Sequence, residues 1–338
     1  MDTFKIKNCA AHLTILLFST FLLLVFAGCE YSLDSRRNSV KSDSTRSDTN
    51  QVTYNVGYQR YTWTDFSRFE EASLNPFDFR KVIADIYYPT TMSEGNESNL
   101  KDRLFKCNFL MNDLEKHLAR SLCEDTVRVT ARQFATIAAG SFPVIFYHAG
   151  WTSDRNDNTA VVKKLVKSGY IVIAMGSPYN DGLTFVNGSY VFSKLPGSNN
   201  YTSYNEFLQY FYSHSQEVYA FLARRCEVNV EDTSFVIKKL RLLNSILFKN
   251  SMNLDKIGYF GFSLGGWSAN YALSNLDEID VAVNLDGGIH PSVIETKIHK
   301  PYMLIAASEL TLGYQLHILG ETLPTGVGFT IADTGHYN

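Results

Sequence analysis

The sequence predicts an α/β fold with a mostly parallel central sheet, helices on both of its faces and an antiparallel N-terminal edge. Two observations lead to this prediction. From residue 143 onward, short continuous apolar runs alternate with helical stretches, and such runs are typical of parallel strands buried on both faces. Before them, residues 54–64 and 81–88 carry β-branched and aromatic side chains in partial alternation, which is typical of an antiparallel pair.

The predicted elements follow one another in a regular order. Residues 91–140 are more polar, and within them the segment FLMNDLEKHLARSL has apolar residues at helical spacing. The predicted buried strands are 143–147, 170–175, 256–260, 279–285, 301–307 and 327–332. The predicted helices are 159–168, 205–225, 232–249 and 263–273. We find no internal repeat, so the alternation predicts one sheet covered on both faces.

The composition excludes several classes of protein. The chain of 338 residues is 45% hydrophobic and 19% charged, which is enough apolar material for a sizeable core and too much for intrinsic disorder. Its net charge of -3 lacks the basic excess of a protein that binds nucleic-acid phosphates, so we expect no nucleic-acid partner. Five cysteines are too few for a disulfide-rich scaffold.

The N-terminus has the pattern of a targeting segment. Lys5 and Lys7 precede the apolar run LTILLFSTFLLLVFA, whose fifteen residues fall short of the ~20 that a membrane span needs and suit the central region of a signal peptide. The following FAGC resembles the lipobox of bacterial lipoproteins, in which the signal is removed and the cysteine is lipidated. We therefore expect residues 1–28 to be a lipoprotein signal peptide and Cys29 to carry the lipid. An uncleaved anchor with an incidental Cys29 is the alternative.

The residues after Cys29 predict a flexible connection to the globular part. Residues 29–51 are rich in Ser, Asp, Arg and Asn without hydrophobic periodicity, which indicates a tether, and residues 52–338 are expected to form the globular domain. The protein is thus expected to be exported and lipid-anchored to a bacterial membrane, on its periplasmic or cell-surface face. Export permits a bridge between Cys107 and Cys123, which leaves Cys226 over; buried unpaired thiols are the alternative.

The segment GFSLG at 261–265 fits the pattern G-x-S-x-G of a nucleophile elbow. The predicted strand 256–260 runs directly into it and a predicted helix follows, which is the context that such an elbow requires. Glycines on both sides of the serine let neighbouring chain segments approach closely. Ser263 is therefore the candidate nucleophile, at a helix N-terminus whose partial positive charge favours an oxyanion. A serine in an ordinary turn is the alternative.

A nucleophilic serine needs a base and an acid that orients the base. His336 follows the last predicted strand and is the candidate base, because α/β-hydrolases carry their triad in the chain order serine, acid, histidine. Asp286 ends strand 279–285 and Glu309 follows strand 301–307, and both lie where parallel sheets present ligand-facing groups. These residues alone leave the choice of acid open. Asp333 lies close to His336 in the chain and is interpreted as a turn residue.

Two backbone N–H groups are expected to form an oxyanion hole. One belongs to Leu264, the residue after the candidate nucleophile. The other is expected in the loop after strand 143–147, where Gly150 of the segment HAG is the candidate. His148 in the same segment is interpreted as a packing residue.

These segments resemble the type II platelet-activating factor acetylhydrolases and their bacterial relatives, a branch of the serine α/β-hydrolases near the dienelactone hydrolases. The resemblance covers about residues 55–338 and rests on FPVIFYHAG as the oxyanion segment and on GFSLGG, VNLDGGIHP and ADTGHYN as the triad segments. It implies an α/β-hydrolase fold and Asp286 as the acid. The chain departs from the family at Ala149, where glycine is usual, at Phe262, where histidine is common, and at Asn338, beyond which the family continues into a helix.

The resemblance and the triad candidates together predict a serine esterase that hydrolyses short-acyl or oxidised-acyl esters, phospholipid-derived esters among them. The expected partners are a small ester or lipid substrate and the membrane that holds the N-terminal lipid. No metal or organic cofactor is expected, because the His and Cys spacings show no zinc pattern. A surface binding protein with a decayed active site, suggested by Ala149, and an acyltransferase or peptidase with the same triad are the alternatives.

Overall fold

Within the described residues, ten strands form one sheet at the centre of the molecule. The computed structural model describes residues 53–93, 97–98, 114, 131–186, 188–197, 201, 203–296, 298–307, 326–331 and 334–336. The strands are β1 (Asn55–Phe69), β2 (Phe79–Thr90), β3 (Glu97–Ser98), β4 (Ala131–Gln133), β5 (Phe142–His148), β6 (Ile171–Gly176), β7 (Leu183–Val186), β8 (Ser189–Phe192), β9 (Met252–Phe262), β10 (Ile279–Leu285), β11 (Tyr302–Ala307) and β12 (Gly326–Ile331). The helices are α1 (Thr159–Lys167), α2 (Tyr204–Ser213), α3 (Ser215–Ile246), α4 (Leu264–Asn275) and α5 (Pro291–Thr296).

The strand order of the large sheet is β12-β11-β10-β9-β5-β6-β2-β1-β4-β3. The strands from β12 to β6 are all parallel to one another, so their carboxyl ends meet at one edge of the sheet. We call this edge the carboxyl edge. Parallel strands need crossover connections, and the connections observed here contain helices such as α1 and α4.

The N-terminal part of the sheet is antiparallel, as the alternating pattern predicts. β1 and β2 form a long hairpin, and β2 runs antiparallel to β6. The short strands β4 and β3, which the sequence does not predict, extend the sheet beyond β1. Because β1 runs in the same direction as β6, the turn between β1 and β2 lies beyond the carboxyl edge.

Two apolar clusters cover the two faces of the sheet. On one face, Val236 and Leu240 of α3 and Ala269 of α4 pack against Val144 and Ile173 of the strands. On the other face, side chains of α1 pack against the alternate residues of the same strands, such as Ile145 and Val172. The buried residues of α1 are Thr159, Val162, Leu165 and Val166. Alternate strand residues thus face opposite helical layers, which is why the strands read as continuous apolar runs.

The helical region before β9 differs from the prediction of two helices at 205–225 and 232–249. The structure places the break at His214, and α3 then runs without interruption to Ile246. Residues 226–231 include the β-branched Val228 and Val230, which lower helix propensity, but both side chains are buried in the molecule. Tertiary packing therefore outweighs propensity at this place.

Several predictions concern residues outside the described ranges. These are the signal peptide 1–28, the tether 29–51, the thiols of Cys107 and Cys123, and most of the helix expected in FLMNDLEKHLARSL. The third cysteine, Cys226, is free and buried. In the described part of the chain, no helix combines the length and the apolar character that a membrane crossing requires.

Candidate active site

Four loops that carry the candidate residues leave the carboxyl edge of the sheet. Gly150 follows β5, Ser263 follows β9, Asp286 follows β10 and His336 comes after β12. Since these strands are parallel, the loops gather at the edge where open α/β sheets bind their ligands. The fold therefore brings together residues from widely separated parts of the chain.

Ser263 occupies a sharp turn between β9 and α4. Its φ of 53° and ψ of -114° lie in a region that residues with a side chain rarely adopt. The backbone holds the turn, because the Ser263 N–H donates to Leu285 O at 2.9 Å and the Ser263 carbonyl accepts from the Gly266 and Trp267 N–H groups. The Ser263 side chain caps no backbone N–H of α4. The hydroxyl at this helix N-terminus is therefore not used as a cap.

The glycines beside Ser263 are required by close approach of the backbone. A methyl group on Gly261 would stand 2.1 Å from the Gly265 carbonyl, and one on Gly265 would stand 2.0 Å from the His148 carbonyl oxygen. Both distances are far shorter than the ~3.5 Å of favourable carbon contacts. The absence of side chains at these positions lets the elbow lie against the end of β5. We call the loop that begins there and carries Gly150 the oxyanion loop.

Asp286 and His336 form a hydrogen-bonded pair. His336 Nδ1 lies 2.5 Å from Asp286 Oδ2, and Asp286 Oδ1 accepts from the Ala307 backbone N–H at 2.7 Å. The Asp286 N–H donates to Ile305 O at 2.7 Å, so the neighbouring strand β11 fixes both backbone and carboxylate. This arrangement can hold the imidazole with Nδ1 protonated, which leaves Nε2 to accept a proton. The competing carboxylate Glu309 lies outside the described residues.

Phe262 contacts both the imidazole and the oxyanion loop. Its ring stacks on His336 with the centroids 4.8 Å apart and the planes at 26°. A methyl group on Gly150 would stand 3.2 Å from Phe262 Cδ1 and 3.1 Å from Ser263 Cβ. The sequence reasoning missed this contact. The one sequence feature that pointed to Phe262 is that it stands where the family that the chain resembles commonly has histidine.

The two candidate oxyanion donors have no acceptor within the described part of the chain. Neither the Leu264 N–H nor the Gly150 N–H makes a hydrogen bond there. Leu264 is the first residue of α4, where helix N–H groups lack intrahelical partners and carry a partial positive charge. Gly150 lies against Ser263 in space. Both N–H groups are therefore near the serine and available to an oxyanion.

His148 lies beside the site but is not available as a base. Its side chain is buried, its Nδ1 lies 2.6 Å from Tyr259 Oη, and its ring stacks on that of Tyr259. Burial lowers the pKa of His148 to about 3, because the apolar surroundings disfavour the imidazolium. A neutral, packed His148 fits the packing role inferred from the sequence.

A chain of hydrogen bonds connects the oxyanion loop with the first residue of α4. The Thr152 N–H donates to Asn180 O at 2.9 Å. Asn180 Nδ2 donates to Asn229 Oδ1 at 2.8 Å, and Asn229 Nδ2 donates to Ser268 Oγ at 3.1 Å. Ser268 Oγ donates to Leu264 O at 3.0 Å. Asn229 lies at the middle of this connection, and no sequence pattern marks it because its partners are distant in the chain.

Replacing Asn229 by leucine should lower kcat by roughly 10–100-fold with little change in KM, because small displacements of oxyanion donors remove interactions made in the transition state. Leucine has a similar shape, so it removes the two hydrogen bonds without opening a large cavity. The measurement is kcat and KM toward p-nitrophenyl acetate. The matched control is Asn275→Leu in α4, where the exposed Asn275 Nδ2 donates to Tyr271 O. Equal losses in both variants, or a rise in KM alone, would contradict this role.

An aromatic cluster adjoins the oxyanion loop. Trp151 follows Gly150 and contacts Phe207 and Phe211 of α2 and Phe221 of α3, with ring centroids 5.4, 6.2 and 5.8 Å away. The Trp151 Nε1–H also donates to Lys194 O at 3.3 Å. α2 and α3 thus provide an apolar wall directly behind the residue that follows the candidate oxyanion donor.

The described residues place one further reactive group, the thiol of Cys226, near the site. Burial raises the pKa of the Cys226 thiol, and its Sγ lies 3.3 Å from Ser268 Oγ, so this cysteine is a packed, protonated thiol. Within the described ranges, no three or more His, Cys, Asp and Glu side chains are grouped so that they could hold a metal ion.

Comparison with known proteins bears on the fold. No family model matches the chain, and no curated protein matches it significantly. Among solved structures, the chain is similar to a ferulic acid esterase from Streptomyces cinnamoneus, with a TM-score of 0.58 and 20% sequence identity, over 86% of this chain and 76% of that one. At this identity the likeness shows the fold alone. Together with the strand order it confirms the prediction of an α/β-hydrolase fold.

Proposed function

We propose that the protein is a serine carboxylic-ester hydrolase with the triad Ser263, Asp286 and His336. The observation that carries the proposal is the conjunction of two features at the carboxyl edge. Ser263 has the strained backbone of a nucleophile elbow, and the Asp286–His336 hydrogen bond lies at the end of the adjacent strand. A strained residue that the surrounding structure maintains is a sign of function, and the hydrogen-bonded pair supplies the base that a serine needs.

In the proposed reaction, Ser263 Oγ attacks the ester carbonyl carbon while His336 Nε2 takes the hydroxyl proton. The tetrahedral intermediate expels the alcohol, which receives that proton from the imidazolium. Water then attacks the acyl-enzyme with the same assistance and releases the acid. Asp286 orients the imidazole and stabilises the charge that it acquires.

The Leu264 and Gly150 N–H groups stabilise the oxyanion in this proposal. Removing one such donor costs on the order of 3–4 kcal/mol of transition-state stabilisation in other serine hydrolases. The support here is that both N–H groups lie beside Ser263 and have no acceptor among the described residues. Ala149 in place of the usual glycine lies before Gly150 and is 8% exposed, so its methyl group points into the packed interior rather than into open solvent.

The proposed substrates are short-acyl or oxidised-acyl esters, phospholipid-derived esters among them. The family resemblance implies this class. The apolar wall formed by Trp151, Phe207, Phe211 and Phe221 adjoins the oxyanion loop and offers an apolar surface to the acyl group. The same wall favours a second candidate, an ester of an aromatic acid. A ferulic acid esterase is among the proteins of similar structure.

Kinetics on a panel of esters test the proposal. We expect kcat/KM to be highest for p-nitrophenyl acetate and propionate and to fall for acyl chains beyond about eight carbons, as the family resemblance implies. A maximum at long chains would reject the short-acyl assignment. Faster hydrolysis of methyl ferulate than of the acetate would favour the aromatic acid. No hydrolysis of any ester by folded protein would favour the decayed binding protein.

We also propose that the protein is exported and anchored through a lipid on Cys29, with residues 29–51 as the tether. The support is the FAGC segment after the apolar run of the N-terminus. Mass spectrometry of the mature N-terminus, with detergent-phase partitioning, is the measurement. A modified Cys29 as first residue is the expected result, whereas a mature chain that still contains Ser19 or Phe21 would contradict it.

A further inference from the structure

The turn between β1 and β2 carries a patch of exposed large apolar side chains. We call residues 66–79 the hairpin tip. Phe66, Phe69, Leu74 and Phe77 are 75%, 58%, 92% and 79% exposed. Single exposed apolar residues are normal on protein surfaces, but a group of four at one protrusion marks an interaction site.

Hydrogen bonds and ring contacts brace the hairpin tip. Asp78 accepts hydrogen bonds from Ser73 Oγ at 2.5 Å and from Asn75 Nδ2 at 3.0 Å, and the Glu70 N–H donates to Asp78 O at 2.8 Å. Phe79 packs against Phe66 and Phe69 with ring centroids 5.3 and 5.0 Å away. The apolar side chains are therefore held outward by a braced turn, and a partner that covers them would not have to order the loop.

The charged side chains of the hairpin tip are ion-paired or hydrogen-bonded within the protein. Arg68 binds Asp65, Glu231 and Asp232, and Glu71 binds Arg224. Glu70 forms an ion pair with Arg80, and the Asp78 carboxylate accepts hydrogen bonds from the neutral Ser73 and Asn75 side chains. The exposed apolar groups of the tip thus lie beside charges that are already ion-paired or hydrogen-bonded within the protein, which fits a lipid surface better than a partner recognised by charge.

The position of the hairpin tip relates it to the candidate active site. Ala84 of β2 is in register with Met175 of β6, which is in register with His148, which in turn pairs with Gly261 at the elbow. Phe79, the first residue of β2, precedes Ala84 by five residues, which places it about 17 Å beyond the level of the elbow along the strand direction at ~3.4 Å per residue. The tip therefore projects past the carboxyl edge on which Ser263 lies.

The sequence before β1 provides a reason for a lipid surface to be near. The 23 residues from 29 to 51 connect the proposed lipid on Cys29 to β1 and can extend by up to roughly 80 Å. β1 itself, with 15 residues, is about 46–50 Å long from its start to the hairpin tip. The tether is thus long enough for the tip to touch the bilayer that holds the lipid, and tethering raises the effective concentration of a weak contact.

We propose that the hairpin tip docks on a lipid bilayer and turns the carboxyl edge toward it. Phe66, Phe69, Leu74 and Phe77 enter the interfacial region, where aromatic and aliphatic side chains are stabilised without any charged lipid. The consequence for substrate, which rests on the proposed function, is that esters in the membrane reach Ser263 without first dissolving in water.

The test uses the full chain reconstituted in phosphatidylcholine vesicles, with or without bromine on the acyl chains, and the variant Phe77→Trp. The quantity measured is the fluorescence of Phe77→Trp minus that of wild type. Brominated acyl chains should lower this difference by about half or more, because bromine quenches only indoles that insert among the lipid acyl chains. The matched control is Phe134→Trp, because Phe134 is 72% exposed but follows β4, which pairs with the start of β1 at the opposite edge of the sheet. The control signal should not change.

Three outcomes would overturn the proposal. The first is Phe77→Trp fluorescence that brominated lipid does not quench, and the second is equal quenching of both variants. The third is Phe77→Trp fluorescence that is blue-shifted but not quenched by bromine, which would mean that a protein surface such as a second copy covers the tip. Quenching should also persist at about 0.5 M salt, because no screened charge contributes. This readout needs no catalysis, and either an uncleaved or a lipidated N-terminus retains the chain on the vesicle. A failure of the docking proposal can thus be distinguished from a failure of the proposed function.

Discussion

Replacing Ser263 by alanine should lower kcat toward a short-acyl ester by roughly 10³–10⁶-fold with the fold retained, because the reaction loses its nucleophile while the oxyanion donors remain. His336→Ala and Asp286→Asn should lower kcat within the same range. The three side chains act as a unit, so double variants should lose little more than single ones. The measurement is kcat for p-nitrophenyl acetate, with circular dichroism to verify folding.

Two further variants sharpen this prediction. Ser274→Ala changes a serine later in α4, whose Oγ lies 3.0 Å from Thr296 Oγ1, and it should keep wild-type kcat. Glu309→Gln should be mild. If Glu309→Gln lowers kcat as much as Asp286→Asn does, the assignment of the acid is wrong.

Replacing Arg80 by methionine should lower the free energy of unfolding by about 3–5 kcal/mol, the range observed when one partner of a buried ion pair is removed. The Arg80 guanidinium is 2% exposed and donates to Asp232 Oδ2 at 2.6 Å and to Glu70 Oε2 at 2.5 Å. Burial disfavours the guanidinium charge, but the Asp232 and Glu70 carboxylates outweigh that effect and raise the pKa of Arg80. Methionine leaves both carboxylates buried without this cation. Urea unfolding at neutral pH measures the loss.

Arg80 also fixes the loop after β6, since it donates to Ser177 Oγ at 2.9 Å and to Pro178 O at 3.0 Å. The matched control is Arg241→Met, because the Arg241–Glu278 pair is 3.5 Å long with an Arg241 side chain that is 63% exposed. Surface pairs of this kind contribute at most about 1 kcal/mol. If Arg80→Met lowers the free energy of unfolding by less than about 1 kcal/mol, and by no more than the control does, the buried pair adds no stability.

Much of the fold could be predicted because buried parallel strands leave a clear pattern. The predicted strand 279–285 agrees with β10, and the predicted 143–147 falls within β5. The prediction was less complete where local pattern is weak. β3 and β4 are too short to be recognised, and the break at His214 depends on packing that the helical spacing does not contain.

The residues of the candidate site also divide into those that a local sequence pattern predicts and those that it does not. Ser263 could be proposed because the elbow is a local motif, and His336 because it follows the last strand. Asp286 and Glu309 could not be separated without the resemblance, since both follow strands of the same sheet. The structure brings Asp286 to His336; the roles of all three remain predictions. The contacts of Phe262 and Asn229 had no pattern in the sequence because each joins distant segments.

Labelling with a fluorophosphonate probe tests the central claim most directly, since the probe bonds only to a serine that is activated as a nucleophile. Folded wild-type protein should be labelled, peptide mapping should place the label on Ser263, and Ser263→Ala should remain unlabelled. Asp286→Asn should be labelled far more slowly than wild type. A folded wild-type protein that stays unlabelled, or a label on any other serine, would contradict the assignment of Ser263 as the nucleophile and favour a binding protein on the same fold.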